Sequence, residues 1–464
     1  MLDSTVVNVA LARIGSDLGA GFTELQWISN AYTLTLAAFI LVGGVLGDRY
    51  GRRRVFVIGT VWFALASAAC AAAPTATALI AARALQGVGA ALLTPGSLAI
   101  ISAAFAAGDR ARAIGAWSGL GGVAAAVGPL LGGWLVDINW RWVFLVNLPV
   151  AAMVVAICLT RVPETRGPAA AGPVDFLGAG LVVAFLSGST YALTEAGRVG
   201  WTAAVVAIGA AGLLAGVAFA AVERRRADPL VPLGLFGDRV FAVTNLVTVF
   251  VYAGLSVYFF LLVLQLQVSA GWTALAAGTA ILPVTALMLL LSARFGALSE
   301  RTGPRSLMTA GCLLACAGFA LAVRIGPGAS YPSDVLPSVV LLGLGLSSAV
   351  APLTAAVLGA APEAQVGAAS GINNATARSA GLLAIAVVPG LAGLSSAGSD
   401  PRTFTAGFGA AMWMGAGLLA VAAVVSWFGL GRLGVRPGPP GRIAVHKDPC
   451  CPVGAPTLHP AAEA

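Results

Sequence analysis

The chain has 464 residues, of which 59% are hydrophobic and 9% charged, with a net charge of +8. A soluble domain carries about 25% charged residues, so this sequence cannot cover a water-facing surface, and its outer face must meet lipid. The positive charge reads as a topology signal rather than a nucleic-acid footprint, because no aromatic-rich basic patch and no zinc spacing accompany it.

Apolar runs recur along the chain, most of them near the roughly 20 residues that span a bilayer core. In the first half they fall at 1–12, 27–47, 54–73, 79–105, 113–136 and 142–160. A Pro/Ala/Gly linker at 161–174 leads to two further runs, 175–194 and 202–222, and then to a polar loop, 223–238. The second half holds 240–264, 274–293, 307–323, 335–358, 367–391 and 404–430. These runs predict an all-α membrane protein of about fourteen transmembrane helices. It divides into a bundle of six over 1–160, a linker and inserted helix pair over 161–238, and a second bundle of six over 239–430. Residues 431–464, rich in Pro and Gly, read as a disordered cytoplasmic tail. The abundant Gly and Ala let membrane helices approach closely.

Most of the 26 Lys and Arg fall in alternate loops, including Arg49, Arg52–Arg54, Arg224–Arg226, Arg294, Arg301 and Arg305. That bias places both termini in the cytoplasm. The first run is too short to cross the core, which predicts that the true start lies upstream of Met1. Cys70, Cys158, Cys312 and Cys316 lie in apolar runs and read as inert packing residues. The two histidines, His446 and His459, lie in the tail. No His, Cys or paired carboxylates converge in the membrane part, so the sequence calls for no metal, no cofactor and no enzyme.

Two loops share one pattern. Gly44-Val-Leu-Gly-Asp48-Arg49-Tyr-Gly51-Arg52-Arg53-Arg54 follows the second run, and Gly296-Ala-Leu-Ser-Glu300-Arg301-Thr-Gly303-Pro-Arg305 follows the tenth. Glycines permit a tight reversal. Asp48 is expected at the positive end of the next helix or paired with the arginines. A plain positive-inside loop would account for one copy, but a repeat in matching places of two halves is a transporter feature. Here the chain resembles the major facilitator superfamily, whose signature loop this is.

Further residues are similar to one branch, the fourteen-helix drug:proton antiporters. These are Asp3, Thr5 and Asn8 in the first run, Gln26, Trp27 and Tyr32 in the second, and Arg83, Gln86, Gly87 and Gly89 in the fourth. The antiporter motif of the fifth run is matched by Gly115, Gly128, Pro129, Gly132 and Gly133, with Ala124 where glycine is usual. Trp140-Arg141-Trp142 with Asn147 and Pro149 matches the entry to the sixth. The resemblance implies two bundles that rock about a midplane cavity and exchange protons for drug at the cell membrane.

Charge within the membrane marks candidate sites. Asp3 is the sole carboxylate expected well inside it, and desolvation favours the protonated acid that a proton-coupling site needs; a helix-end Asp facing water is the alternative. Arg83, with Gln86 one turn on, carries proton coupling or substrate response by the resemblance, or else snorkels. Asn373, Asn374 and Arg378 form a polar face on the cavity, or a hydrogen-bonded cluster between helices. The partners implied are a small drug-like molecule, protons and the lipid bilayer, without nucleic acid; accessory export proteins are not identified. An ionised Asp3 would favour an amphipathic, cationic cargo. An exporter of one specific metabolite or antibiotic is the competing reading.

Overall fold

Each of these apolar runs is mainly helix where it is described, as backbone surrounded by hydrocarbon must be, since it has no water to bond. The computed structural model describes residues 2–104, 107–166, 175–226, 229, 231–362, 365–396 and 400–430; the tail with its cysteines and histidines lies outside these. Among the described residues no strand occurs.

The helices are α1 (Leu2–Leu18), α2 (Phe22–Tyr50), α3 (Arg52–Ala72), α4 (Ala76–Ala104), α5 (Ala107–Ile138), α6 (Trp142–Leu145), α7 (Asn147–Arg161), α8 (Phe176–Val199) and α9 (Ala203–Glu223). They continue as α10 (Arg239–Val268), α11 (Ala274–Thr279), α12 (Leu282–Thr302), α13 (Pro304–Ala322), α14 (Leu336–Gly359), α15 (Val366–Leu391) and α16 (Pro401–Gly429). Two runs expected as single helices are each split at a proline. Pro149 and Pro283 lack the amide that would bond to the carbonyls of Leu145 and Thr279, and those two residues end α6 and α11.

Ten helical stretches among the described residues are long and apolar enough to cross a membrane, and eleven if bent α2 counts as one. In α2, Phe22–Ile40 and Val42–Tyr50 meet at 50°. Length and apolarity alone therefore stop short of fourteen. Neither α1, at 17 residues, nor α15, which carries Asn373, Asn374 and Arg378, is among the ten. The first run was expected to end near residue 12, yet α1 continues to Leu18 because Ile14 stays buried while Arg13, Ser16 and Asp17 turn outward. Gly19, at φ +62°, then ends it.

Close neighbours are α2 with α4, α3 with α4 and α7, and α1 with α5; in the second half, α13 with α14 and α16, and α10 with α15 and α16. α8 pairs with α9 and also touches α2 and α15. At Gly87 a side chain would run into the Tyr32 carbonyl and the Thr35 hydroxyl of α2. The two halves meet at the end opposite the signature loops. There Phe22 stands edge-on to Phe260 and Phe404, at 6.0 and 6.1 Å. Gln26 donates to the Ile385 carbonyl at 2.7 Å, and Gln267 to the Val9 carbonyl at 3.0 Å. A side chain at Gly133 would strike the backbone of Leu275, and one at Gly278 would lie 2.5 Å from the Pro129 carbonyl. None of the six ion pairs among the described residues crosses this seam.

Candidate functional site

A cavity of about 560 Å³ lies between the halves, a size that suits a drug-like molecule. α1 contributes Thr5 and Asn8 to its wall, α2 Tyr32 and Thr33, and α4 Arg83. The facing wall is mainly apolar and includes Leu255, Phe259, Met288 and Val350. A second lobe of about 380 Å³ shares Thr33, Tyr252, Ser256 and Ile385 with the first, so the two adjoin. This lobe extends past Arg378 and Asn374 to Ser370 near the start of α15 and Leu358 near the end of α14, toward the signature-loop end.

Behind the first wall lies a buried polar cluster. Arg83, 1% exposed, pairs through Nη1 with Asp3 Oδ2 at 2.7 Å. Gln86 and Asn147 both donate to Asp3 Oδ1, at 2.9 and 3.0 Å. The same two amides donate to the Ser67 hydroxyl, which in turn donates to the Phe144 carbonyl at 2.9 Å. Arg83 also donates to Gln86 Oε1 at 2.6 Å, and its guanidinium lies 4.3 Å from the Tyr32 ring centre. One carboxylate thereby ties α1 to α4 and α7, and through Ser67 to α3. Of the ion pair, only Arg83 is among the residues that line the cavity; Asp3 is not. An isolated buried charge is expensive, whereas this pair has both partners and supporting hydrogen bonds.

The structure brings Asp3, Arg83 and Gln86 together and keeps Asn373, Asn374 and Arg378 apart from them. Asn373 donates to Asn245 and Thr248 on α10, at 3.1 and 2.9 Å. Asn374 and Arg378 line the second lobe. Sequence reasoning assigned no role to Ser67 or Asn147. Asn147 stood in the Trp140–Pro149 motif, which was the one available signal; Ser67, a lone serine in an apolar run, gave none.

In the signature loop Asp48 pairs with Arg52 at 2.7 Å. Asp48 was expected at the next helix's N-terminus or paired with the arginines; the amides that begin that helix bond to Glu164 instead. Its carboxylate accepts from the backbone amides of Arg53 and Arg54 at 3.0 and 3.1 Å, and Arg53 lies 3.7 Å from it. Arg49 is exposed. The turn glycines Gly51 and Gly303 adopt φ +112° and +81°, a backbone open to glycine, so the repeat in sequence is a repeat in geometry. In the second loop Glu300 and Arg301 are exposed. In the antiporter motif, Gly128 and Pro129 are buried, Gly132 faces Val6 of α1, and Gly133 faces α11. Gly115 lies outside the residues whose surroundings are described.

A family model described as Major Facilitator Superfamily matches residues 1–386. The puromycin resistance protein pur8 of Streptomyces alboniger is 38% identical over 394 residues, which cover 84% of this chain and 78% of that protein. The multidrug resistance protein Stp of Mycobacterium tuberculosis is 36% identical over 381 residues, 81% of this chain and 70% of that one. The cephamycin export protein CmcT of Amycolatopsis lactamdurans is 34% identical over 417 residues, 89% and 86%. A solved structure of a bacterial homolog to the human lysosomal transporter Spinster, inward-facing and unoccupied, gives a TM-score of 0.64 at 16% identity, over 92% of this chain and 93% of that one. At that identity the likeness is one of fold.

Proposed function

From the chain's membership of the Major Facilitator Superfamily, we propose that this multi-pass transporter exports amphipathic small molecules across the cell membrane in exchange for protons. The Asp3–Arg83 pair, buried at the cavity wall, carries this reading. The relatives named for antibiotic and multidrug resistance supply the direction of transport.

The proposed architecture keeps two six-helix bundles, the inserted α8–α9 pair and fourteen spans, with the arginine-rich loops in the cytoplasm. With that orientation the cavity opens inward and the glycine seam closes the outside. The paired, ionised Asp3 then belongs to the state that receives cargo. Because Asp3 sits behind Arg83, proton and cargo meet different groups, and coupling runs through α1. A proton arriving from outside neutralises Asp3, releases its donors and loosens α1, the helix whose Val6 packs on Gly132 of α5 and whose Val9 carbonyl accepts from Gln267 across the seam. Loss of the proton to the cytoplasm remakes the pair and resets the cycle. The expectation of a cationic cargo rested on a carboxylate facing the cavity. No Asp or Glu lines either lobe among the described residues, so charge preference is not part of this proposal.

The test is dye accumulation in everted vesicles, with and without a pH gradient. Wild type should accumulate at least one dye of an amphipathic panel only while the gradient stands. Asp3→Asn, present in equal amount, should lose that gradient-dependent part. Unchanged accumulation after the gradient is collapsed would remove proton coupling from the proposal.

A further inference from the structure

Arg378 has a different situation from Arg83. It lies on α15, half-buried, and lines the second lobe of the cavity. Its Nε is buried and has no hydrogen-bond partner. None of the ion pairs among the described residues includes it. Arg83 is already compensated by Asp3. Arg378 is thus the one uncompensated charge among the described residues lining the two lobes, and it is positive.

Resting on the exporter reading above, we propose that the cavity selects amphipathic organic anions, whose carboxylate or equivalent acidic group seats on Arg378. A half-buried charge without a counter-ion among the described residues attracts the opposite sign. A planar guanidinium also matches a two-oxygen anion geometrically. Around it the wall offers the side-chain amide of Asn374 and the hydroxyls of Tyr252 and Ser256 as further donors. The apolar body of the cargo then lies in the first lobe, against Leu255, Phe259 and Met288. This separates the two arginines by task. Arg83 answers to the proton through Asp3, and Arg378 answers to the cargo.

The test compares fluorescein, an anion, with rhodamine 123, a cation on the same tricyclic ring system. Fluorescence anisotropy with purified protein in detergent gives the affinities of wild type, Arg378→Gln and Arg378→Lys. Each variant must first elute as a single species with an unchanged melting temperature; if Arg378→Gln fails this, Arg378→Lys and Asn374→Ala carry the comparison. Wild type should prefer fluorescein by roughly tenfold or more, the worth of one charge-assisted contact. Arg378→Gln should erase that preference by weakening fluorescein alone, and Arg378→Lys should keep part of it. Equal affinities for the two dyes in wild type, no fluorescein binding, or an unaltered preference in Arg378→Gln each overturn the anion site. Accumulation in everted vesicles judges the exporter reading separately. Charge-selective binding without transport would sink export and leave the site standing, and gradient-driven transport without charge selectivity would do the reverse.

Discussion

Replacing Asp3 by Asn leaves Arg83 buried without a counter-ion, and breaking a buried pair from one side costs about 3–5 kcal/mol. Thermal unfolding in detergent should show a clear loss of stability for Asp3→Asn. Asp3→Asn combined with Arg83→Gln should recover much of it, because no bare charge then remains. Equal melting temperatures for wild type and Asp3→Asn would mean that the pair contributes nothing. At this scale the sequence exposed the charges and hid their company. Asp3, Arg83 and Gln86 were legible because charge in an apolar run is rare. Glu164 was not, since it lies 111 residues from the Arg53 amide it accepts from and stands in an unremarkable linker. Glu164→Gln should weaken the start of α3 by about 1 kcal/mol, the scale of a lost anionic cap, seen as a lower melting temperature.

Among the elements, α5 carries a close approach to the second half at Gly133. Gly133→Ala places a methyl against the backbone of Leu275, which cannot swing aside as a side chain could. The closed end should then fail to close, at a strain of about 1–3 kcal/mol. A cysteine introduced at Thr5 on the cavity wall should become more reactive to a membrane-impermeant reagent applied from outside intact cells. Gly417→Ala, with nothing within 4 Å, should change neither reactivity nor transport. Reactivity that is the same in Gly133→Ala and wild type would show that the seam is not tight. The glycine motif was readable in the sequence, but its partner on α11 was not, because hydrophobic periodicity marks which face is apolar and not which helix covers it. The prolines that split α6 from α7 and α11 from α12 were visible as residues, and the splits themselves follow from their missing amides.

For the whole molecule, the arginine bias makes a topological claim that length and apolarity do not settle. An epitope inserted after Gly234 should be reached only in permeabilised cells, and one inserted after Gly271 in intact cells. Both reporting from the same side would remove α10 as a crossing and, with it, the alternation behind fourteen spans. The two-halves pattern was legible from the repeated loops. The number of spans was not, because α1 has only 17 residues, α2 is bent, only Val127–Ile138 of α5 counts as an apolar helix, and α15 carries Asn373, Asn374 and Arg378.

The glycine seam also bears on thermodynamics. Backbone lies on backbone there, beside amide bonds, aromatic edges and apolar contacts, so parting the halves breaks no ion pair among the described residues. Inverting a two-state population from 1:99 to 99:1 takes about 5.5 kcal/mol of differential binding. With no ion pair among the described residues to break at the seam, that differential is left for the cargo and the proton to supply. Because no charge pair among the described residues parts at the seam, the contacts there should hold as ionic strength rises, and added salt would act instead on the cargo and on the part-exposed pairs of the signature loop.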